Sequence, residues 1–226
     1  MNFGGVGGGS INYSGGQIAG YGGYDNSVWY DRAVLSAGFY SGTSSRTVTL
    51  GNLPIEPSGT PDADAVSFYN EVGRRFWVLP SVALTPFAAI NVAYGQILGF
   101  TESDLNNTGA ALTIGNSNDT QTSTLLGARF NGIWGAFRPE AAVAWEHYFN
   151  TTANVNALFA ATPGSNFTVT SSNIGSDGVL VDAGLAYALG PSSDLSVRYI
   201  GRFSNNYTSN AVMGRFTWRF GDYLVP

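Results

Sequence analysis

Apolar and polar residues alternate with a period of two along most of this chain. In AVMGRFTWRF, residues 211–220, Val212, Gly214, Phe216, Trp218 and Phe220 form one row, and Ala211, Met213, Arg215, Thr217 and Arg219 form the other. Successive side chains of a strand point to opposite faces, so this stretch predicts a strand with one apolar and one charged face. The pattern recurs upstream. Leu195, Val197, Tyr199 and Phe203 oppose Ser196, Arg198 and Arg202, with Ile200 the exception. Val179, Val181, Ala183, Leu185, Tyr187 and Leu189 oppose Asp182, Gly184, Ala186 and Ala188. Phe137, Ala141, Val143, Trp145 and Phe149 oppose Arg138, Glu140 and Glu146. Leu84, Pro86, Ala88, Ile90, Val92 and Tyr94 form another apolar row. TQTSTLLGARF and AVSFYNEVGRRF, the second carrying Glu71 and Arg75, alternate more weakly, and SVWYDRAVLSAGFY is interrupted by the adjacent Asp31 and Arg32. NFGGVGGGSINY and QIAGYGGY read as two strands whose facing glycine obscures. The total is about ten strands, mostly near the 9–11 residues of a tilted bilayer-spanning strand.

Two architectures share this pattern. In a soluble sandwich the apolar rows form the core and the arginines meet water. In an outer-membrane barrel the apolar rows meet lipid and the arginines line the lumen. The connections separate them. Those at 190–194, 131–136, 77–80 and 25–26 are short, while those at 150–177, 97–119 and 41–64 are long and 204–210 is moderate. Strict alternation of short and long connections is the mark of a barrel with short periplasmic turns and long extracellular loops. Only the turn at 14–15 is short where a long loop is due. An even strand count then puts both ends of the chain beside the short turns. Aromatic residues gather at the ends of the strands. Trp29, Tyr30, Phe76, Trp77, Trp134, Phe137, Trp218 and Phe220 lie beside the short turns, and Tyr94, Phe100, Trp145, Phe149, Phe203 and Tyr207 lie at the other end. Two such girdles mark the two membrane interfaces.

Composition agrees with the barrel. The 226 residues include 30 Gly and 14% aromatics but only 11% charged residues, against about 25% charged in soluble domains. Mean hydropathy is +0.02, and no apolar run approaches the roughly 20 residues of a membrane helix. A net charge of -5 and pI near 4.6 argue against a nucleic-acid partner. The absence of cysteine excludes disulfides and thiolate metal sites. MNFGGVGGGS has no basic and apolar leader pattern.

The second half resembles the C-terminal translocator domain of autotransporters, the type V secretion barrels. The resemblance rests on FRPEAAVAWEHYF, on FAATPGSNFTVTSSNIGSDGVLVDAGLAYAL, and on DLSVRYIGRFSNNYTSNAVMGRFTWRF, with LTPFAAINVAYGQILGF similar to a middle strand of the family. Its most specific part is the loop with Pro163, Gly164, Phe167, Thr168 and Val169. The resemblance implies an all-β, antiparallel up-and-down transmembrane barrel in the bacterial outer membrane. It also implies three partners: lipid, the barrel-assembly machinery, and a passenger encoded upstream. The family barrel has twelve strands and a helix in its pore, so the first two strands and the helix are expected to be missing from residues 1–226. Residues 3–13 are then expected to approach residues 211–220. The final aromatic of the family, read by the assembly machinery, corresponds to Phe220, and GDYLVP, residues 221–226, is an extension beyond it.

Candidate chemistry is sparse. GGVGGGS lacks the strand–turn–helix context and the Lys of a phosphate loop. His147 is the sole histidine, which excludes a multi-histidine zinc site. It falls in the apolar row with Trp145 and Phe149, opposite its neighbour Glu146, and reads as interfacial. Asp62 and Asp64 read as solvated loop carboxylates. No catalytic or cofactor-binding set emerges. The lumen-lining polar residues are expected to be Arg198, Arg202, Arg215, Arg219, Asp182, Glu140, Glu146, Arg138, Glu71 and Arg75. The lipid-facing residues are expected to be Val212, Phe216, Trp218, Leu195, Val197, Tyr199, Val179, Leu185, Val143, Trp145, Leu84 and Ile90. The function this supports is an outer-membrane barrel that anchors and exports a passenger. A small channel or adhesin-like barrel, and an outer-membrane enzyme, stay open as alternatives.

Overall fold

The computed structural model describes residues 2–3, 8–50 and 53–220. Nine long strands form the wall: β1 (Gly9–Asp25), β2 (Trp29–Arg46), β3 (Asp62–Arg74), β4 (Val82–Ile97), β5 (Ser117–Gly132), β6 (Phe137–Tyr148), β7 (Asp177–Gly190), β8 (Ser193–Ser204) and β9 (Thr208–Trp218). Each pairs antiparallel with the next in sequence. Asn2–Phe3 pairs with Ser10 and Gly9, so ten strands follow one another in the curled sheet and the first is two residues long.

The glycine-rich start differs from the sequence reading. There is no turn at 14–15; β1 runs unbroken for 17 residues along β2, from Gly9 opposite Arg46 to Asp25 opposite Tyr30. This removes the one short connection that broke the loop pattern. Glycine is needed here by close approach. A Cβ on Gly15 would stand 2.0 Å from the Phe39 carbonyl oxygen. The change also alters the direction of the first strand. β1 starts at the long-loop end, whereas Trp218 pairs with Ser193 at the short-turn end. The two ends of the wall therefore do not share a side.

The expected approach of residues 3–13 to residues 211–220 gives no strand pairing among the described residues, and none joins β1 to β9. Both edges expose side chains on both faces: Tyr21 is 91% and Val212 71% exposed. Gly4, Gly5 and Gly7 and residues 221–226 lie outside the described residues.

Burial alternates along the central strands as the sequence pattern requires. On β6, Ala142, Ala144 and Glu146 are buried while Val143 and Trp145 are exposed. On β4, Thr85, Phe87 and Ala89 are buried and Leu84 and Ile90 exposed. The inner face carries a small core of Tyr30, Phe87, Ala89, Leu125, Ala142 and Ala144. The alanines at its centre leave space for long polar side chains that reach one or two strands across the wall. All twelve residues expected on the apolar rows share the outer face; Tyr199 is half-buried there and the others are exposed.

The long connections are themselves structured. Phe100–Thr101, Leu112–Ile114, Asn154–Phe159 and Phe167–Thr170 form a separate four-stranded sheet at the loop end. An ion pair ties this cap to the wall. Arg46, the last residue of β2, donates from Nε and Nη2 to the buried Glu102 carboxylate at 2.8 and 2.7 Å, and also to the Ala110 carbonyl. The Glu102 carboxylate also accepts from the Leu112 amide at 2.8 Å. The connection at 41–64 is shorter than its sequence suggested, because β2 extends to Arg46 and β3 begins at Asp62. Asp62 and Asp64 therefore lie on a strand, both exposed. In the loop, the Asp104 carboxylate caps a turn, accepting from the Thr108 hydroxyl at 2.6 Å and from the Thr108 and Asn106 amides. The Thr108 hydroxyl, with these amides, holds its pKa below the usual carboxylate range.

Candidate functional site

Charged side chains on the inner face form a chain of alternating sign across the sheet. Its centre is Arg129 of β5. Two bonds bind its guanidinium to the Glu71 carboxylate of β3, from Nη1 to Oε1 at 2.8 Å and from Nη2 to Oε2 at 3.2 Å. Glu71 also accepts from the Tyr30 hydroxyl at 2.7 Å and the Tyr69 hydroxyl at 2.6 Å. Tyr30 in turn accepts from Arg129 Nη1 at 2.8 Å. Both charged residues are almost fully buried. A buried charge is tolerated only when paired and hydrogen-bonded, and Glu71 has four donor contacts from three side chains.

From Arg129 the chain continues across β6 to β8. Arg129 Nε lies 3.3 Å from Glu140, and Glu140 lies 3.5 Å from Arg198 Nη2. Arg198 grips Asp182 of β7 with both Nε, at 2.7 Å, and Nη2. The sequence runs negative, positive, negative, positive, negative from Glu71 to Asp182. Three further pairs flank it: Arg202–Glu146 at 3.3 Å, Arg219–Asp194 at 2.7 Å and Arg75–Asp25 at 2.6 Å. The fully buried Ser123 hydroxyl donates to Glu146 at 3.2 Å.

Eight of the ten polar residues expected from sequence are in this set: Glu71, Arg75, Glu140, Glu146, Asp182, Arg198, Arg202 and Arg219. Arg138 and Arg215 share the inner-facing positions but make no ion pair among the described residues. The sequence reading missed Arg129, Asp194, Tyr69 and Tyr30. Arg129 stood two residues from Gly127 in a segment whose alternation is weak, though its odd-numbered position is the polar one of that strand. Tyr30 was placed with the interfacial aromatics beside Trp29; it is 2% exposed and points inward instead. Its ring fits above Gly73 on β3, where a Cβ would stand 2.5 Å from the ring. The adjacent Trp29 faces outward and has the Arg74 guanidinium 5.5 Å from its ring.

His147 sits on the outer face between Trp145 and Phe149, with ring centroids at 5.6 and 5.0 Å, and its Nδ1 is 3.0 Å from Asp177. Glu146 points the other way. Phe220 stacks on Trp218 with centroids 5.9 Å apart.

A family model described as the autotransporter beta-domain matches residues 1–200. Two extracellular serine proteases of Serratia marcescens are each 26% identical to this chain over 183 residues, 78% of its length. The chain spans only 17% of the length of these curated relatives. The translocator domain of the autotransporter NalP from Neisseria meningitidis has the same fold. It aligns with a TM-score of 0.69 at 14% identity, over 96% of this chain and 76% of that one.

Proposed function

The chain belongs to the autotransporter beta-domain family, and on that premise we propose that it sits in the outer membrane of a Gram-negative cell, anchors an upstream passenger and passes it to the surface. The observation that carries this is the division of the sheet into two faces. Its outer face presents Leu84, Val143, Val179, Leu195 and Phe216, and its inner face holds the ion-pair chain. Lipid meets the first and a wet lumen the second. The reverse arrangement would place several charges in hydrocarbon, at roughly 2–4 kcal/mol for each Arg near the midplane. Inside the lumen the same side chains pair across the wall and resist its collapse. The barrel itself transports and does no chemistry on its cargo.

The lumen-lining set is the ten expected residues together with Arg129 and Asp194. The lipid-facing set is the twelve outer-face residues. Backbone groups along the free edges of β1 and β9 cannot remain unpaired in hydrocarbon. Pairing of these edges with further strands closes the barrel. Phe220, exposed beyond the last strand and stacked on Trp218, is the contact for the barrel-assembly machinery.

Orientation gives the test. The four-stranded cap faces the medium and the turn between β7 and β8 faces the periplasm. The chain has no cysteine, so single cysteines at Asn106 and Ser192 can be labelled with a membrane-impermeant maleimide. Asn106→Cys should react in intact cells and Ser192→Cys only after lysis. Labelling in the opposite order, or of both in intact cells, refutes the arrangement.

A further inference from the structure

We infer that the inner face holds a binding site for a single oxyanion, a carboxylate or a phosphate, between Tyr30 and Thr85. A cavity of about 140 Å3 opens there near the short-turn end, lined among others by Arg32, Arg75, Thr85, Arg129 and Glu140. Three guanidinium groups surround one tyrosine. Arg32 and Arg75 lie 4.6 and 5.2 Å from the centre of the Tyr30 ring, and Arg129 donates to its hydroxyl. Two of the three are neutralised. Asp25 holds Arg75 through two bonds of 2.6 and 2.7 Å, and Glu71 holds Arg129. Arg32 makes no ion pair among the described residues; its guanidinium lies over the ring and meets the charge of Asp25 only beyond ion-pair distance.

The cavity also receives two buried donors that lack an acceptor. Thr85 is 1% exposed and its hydroxyl has no hydrogen-bond partner; Arg129 Nε has none either, its approach to Glu140 at 3.3 Å being out of line. Buried donors without acceptors are rare and unfavourable, and an unpartnered one calls for a ligand or water. A water could satisfy the hydroxyl but brings no charge to Arg32. An oxyanion satisfies all three at once, and a guanidinium suits its planar, two-oxygen edge. Glu140 is the one carboxylate lining the cavity and limits the site to a single anion. The transport reading bears on this only through the source of the anion, an acidic side chain of the chain in the lumen or a free ion.

Binding is measured on the intact polypeptide as its host makes it, extracted from outer membranes in detergent, by isothermal titration. The probes are inorganic phosphate, the peptide acetyl-Gly-Glu-Gly-amide, and its Gln counterpart as neutral control. Saturable binding of phosphate, of the Glu peptide or of both is the expected result, with no binding of the Gln peptide. Binding of the Glu peptide alone identifies a polypeptide carboxylate as the ligand, and binding of phosphate alone a free ion. Arg32→Gln should weaken it at least tenfold and Thr85→Val several-fold. Arg215→Gln, an inner-face change on β9 away from the cavity, should leave it unchanged. Heat-modifiable gel mobility checks folding. If Arg32→Gln fails that check, Arg32→Lys replaces it and should bind within a few-fold of wild type. Absence of saturable binding, or an equal loss in Arg215→Gln, overturns the site. Passenger display is scored separately on the same cells: lost anion binding with normal display leaves the transport reading standing, and failed display with intact binding strikes that reading alone.

Discussion

Replacing Arg129 by Met tests whether the charged chain holds the wall together. Met keeps the apolar stem against Phe87, whose ring centre lies 4.8 Å from the guanidinium, and removes only the charge and its donors. Glu71 then retains two hydroxyl donors, Tyr30 and Tyr69, in a position where its side chain is 5% exposed. Breaking a buried pair by removing one partner costs about 3–5 kcal/mol. The wet inner face screens part of this, so we expect a loss of about 3 kcal/mol, roughly 150-fold in the folding equilibrium at 1.36 kcal/mol per decade. Glu71→Gln should cost less, because Arg129 keeps Glu140 at 3.3 Å. The double variant should recover about 1–3 kcal/mol relative to the sum of the single losses. Urea unfolding of all four proteins in one lipid or detergent, followed by tryptophan fluorescence, gives the cycle. Strictly additive losses, or an Arg129→Met protein within about 0.5 kcal/mol of wild type, would refute the reasoning.

Gly73→Ala should push the Tyr30 ring off its seat, where the added Cβ would be 2.5 Å away, and cost about 1–3 kcal/mol; the same change in a Tyr30→Ala background should cost far less, and equal costs in both would show that the ring has another place to go. Val143→Arg, at the middle of β6 on the outer face, should lower stability in a bilayer by about 2–4 kcal/mol, and a neutral result would argue against lipid at that face. Glu102→Gln should loosen the cap without unfolding the wall, read as faster chymotrypsin cleavage within residues 98–116, where Leu105 is exposed, at unchanged heat-modifiable mobility; unchanged cleavage would mean that Arg46 and Glu102 do not hold the cap. The depressed pKa of Asp104 means that its turn is stabilised above the ordinary carboxylate value and loses that support as pH falls through the lower folded value, so an NMR titration of Asp104 should give a midpoint below the usual range, and a normal midpoint would remove the cap argument.

Side-chain facing was legible wherever a strand carried side chains large enough to show it. The rows through Val143, Leu185, Val197 and Phe216 placed themselves on one face by parity alone, because a strand's period of two does not depend on its partners. Most of the polar residues opposite them could be assigned the same way, and so could the unequal lengths of the connections. Glycine carries no such signal. The 17 residues of β1 read as two segments because Ser14 and Gly15 look like a turn, and only the register with β2 shows one strand passing through. Tyr30 shows a second limit: an aromatic residue beside Trp29 reads as interfacial, yet the space above Gly73 draws it inward.

By itself, then, the sequence determined the strand periodicity, the two faces and the separation of long from short connections, all of which follow from local backbone geometry. Tertiary structure decided which charges meet. Arg129 and Glu71 are 58 residues apart, and Arg46 and Glu102 are 56 apart. Neither pair lies on neighbouring strands, so no local spacing announces it. The curl of the sheet brings the strands' inner faces together, and the small residues Ala142, Ala144 and Gly127 leave the space through which long side chains reach across. The open edges of β1 and β9 were likewise settled only by pairing. Pairing depends on backbone hydrogen bonds between distant segments, and the alternation within any one strand does not record them.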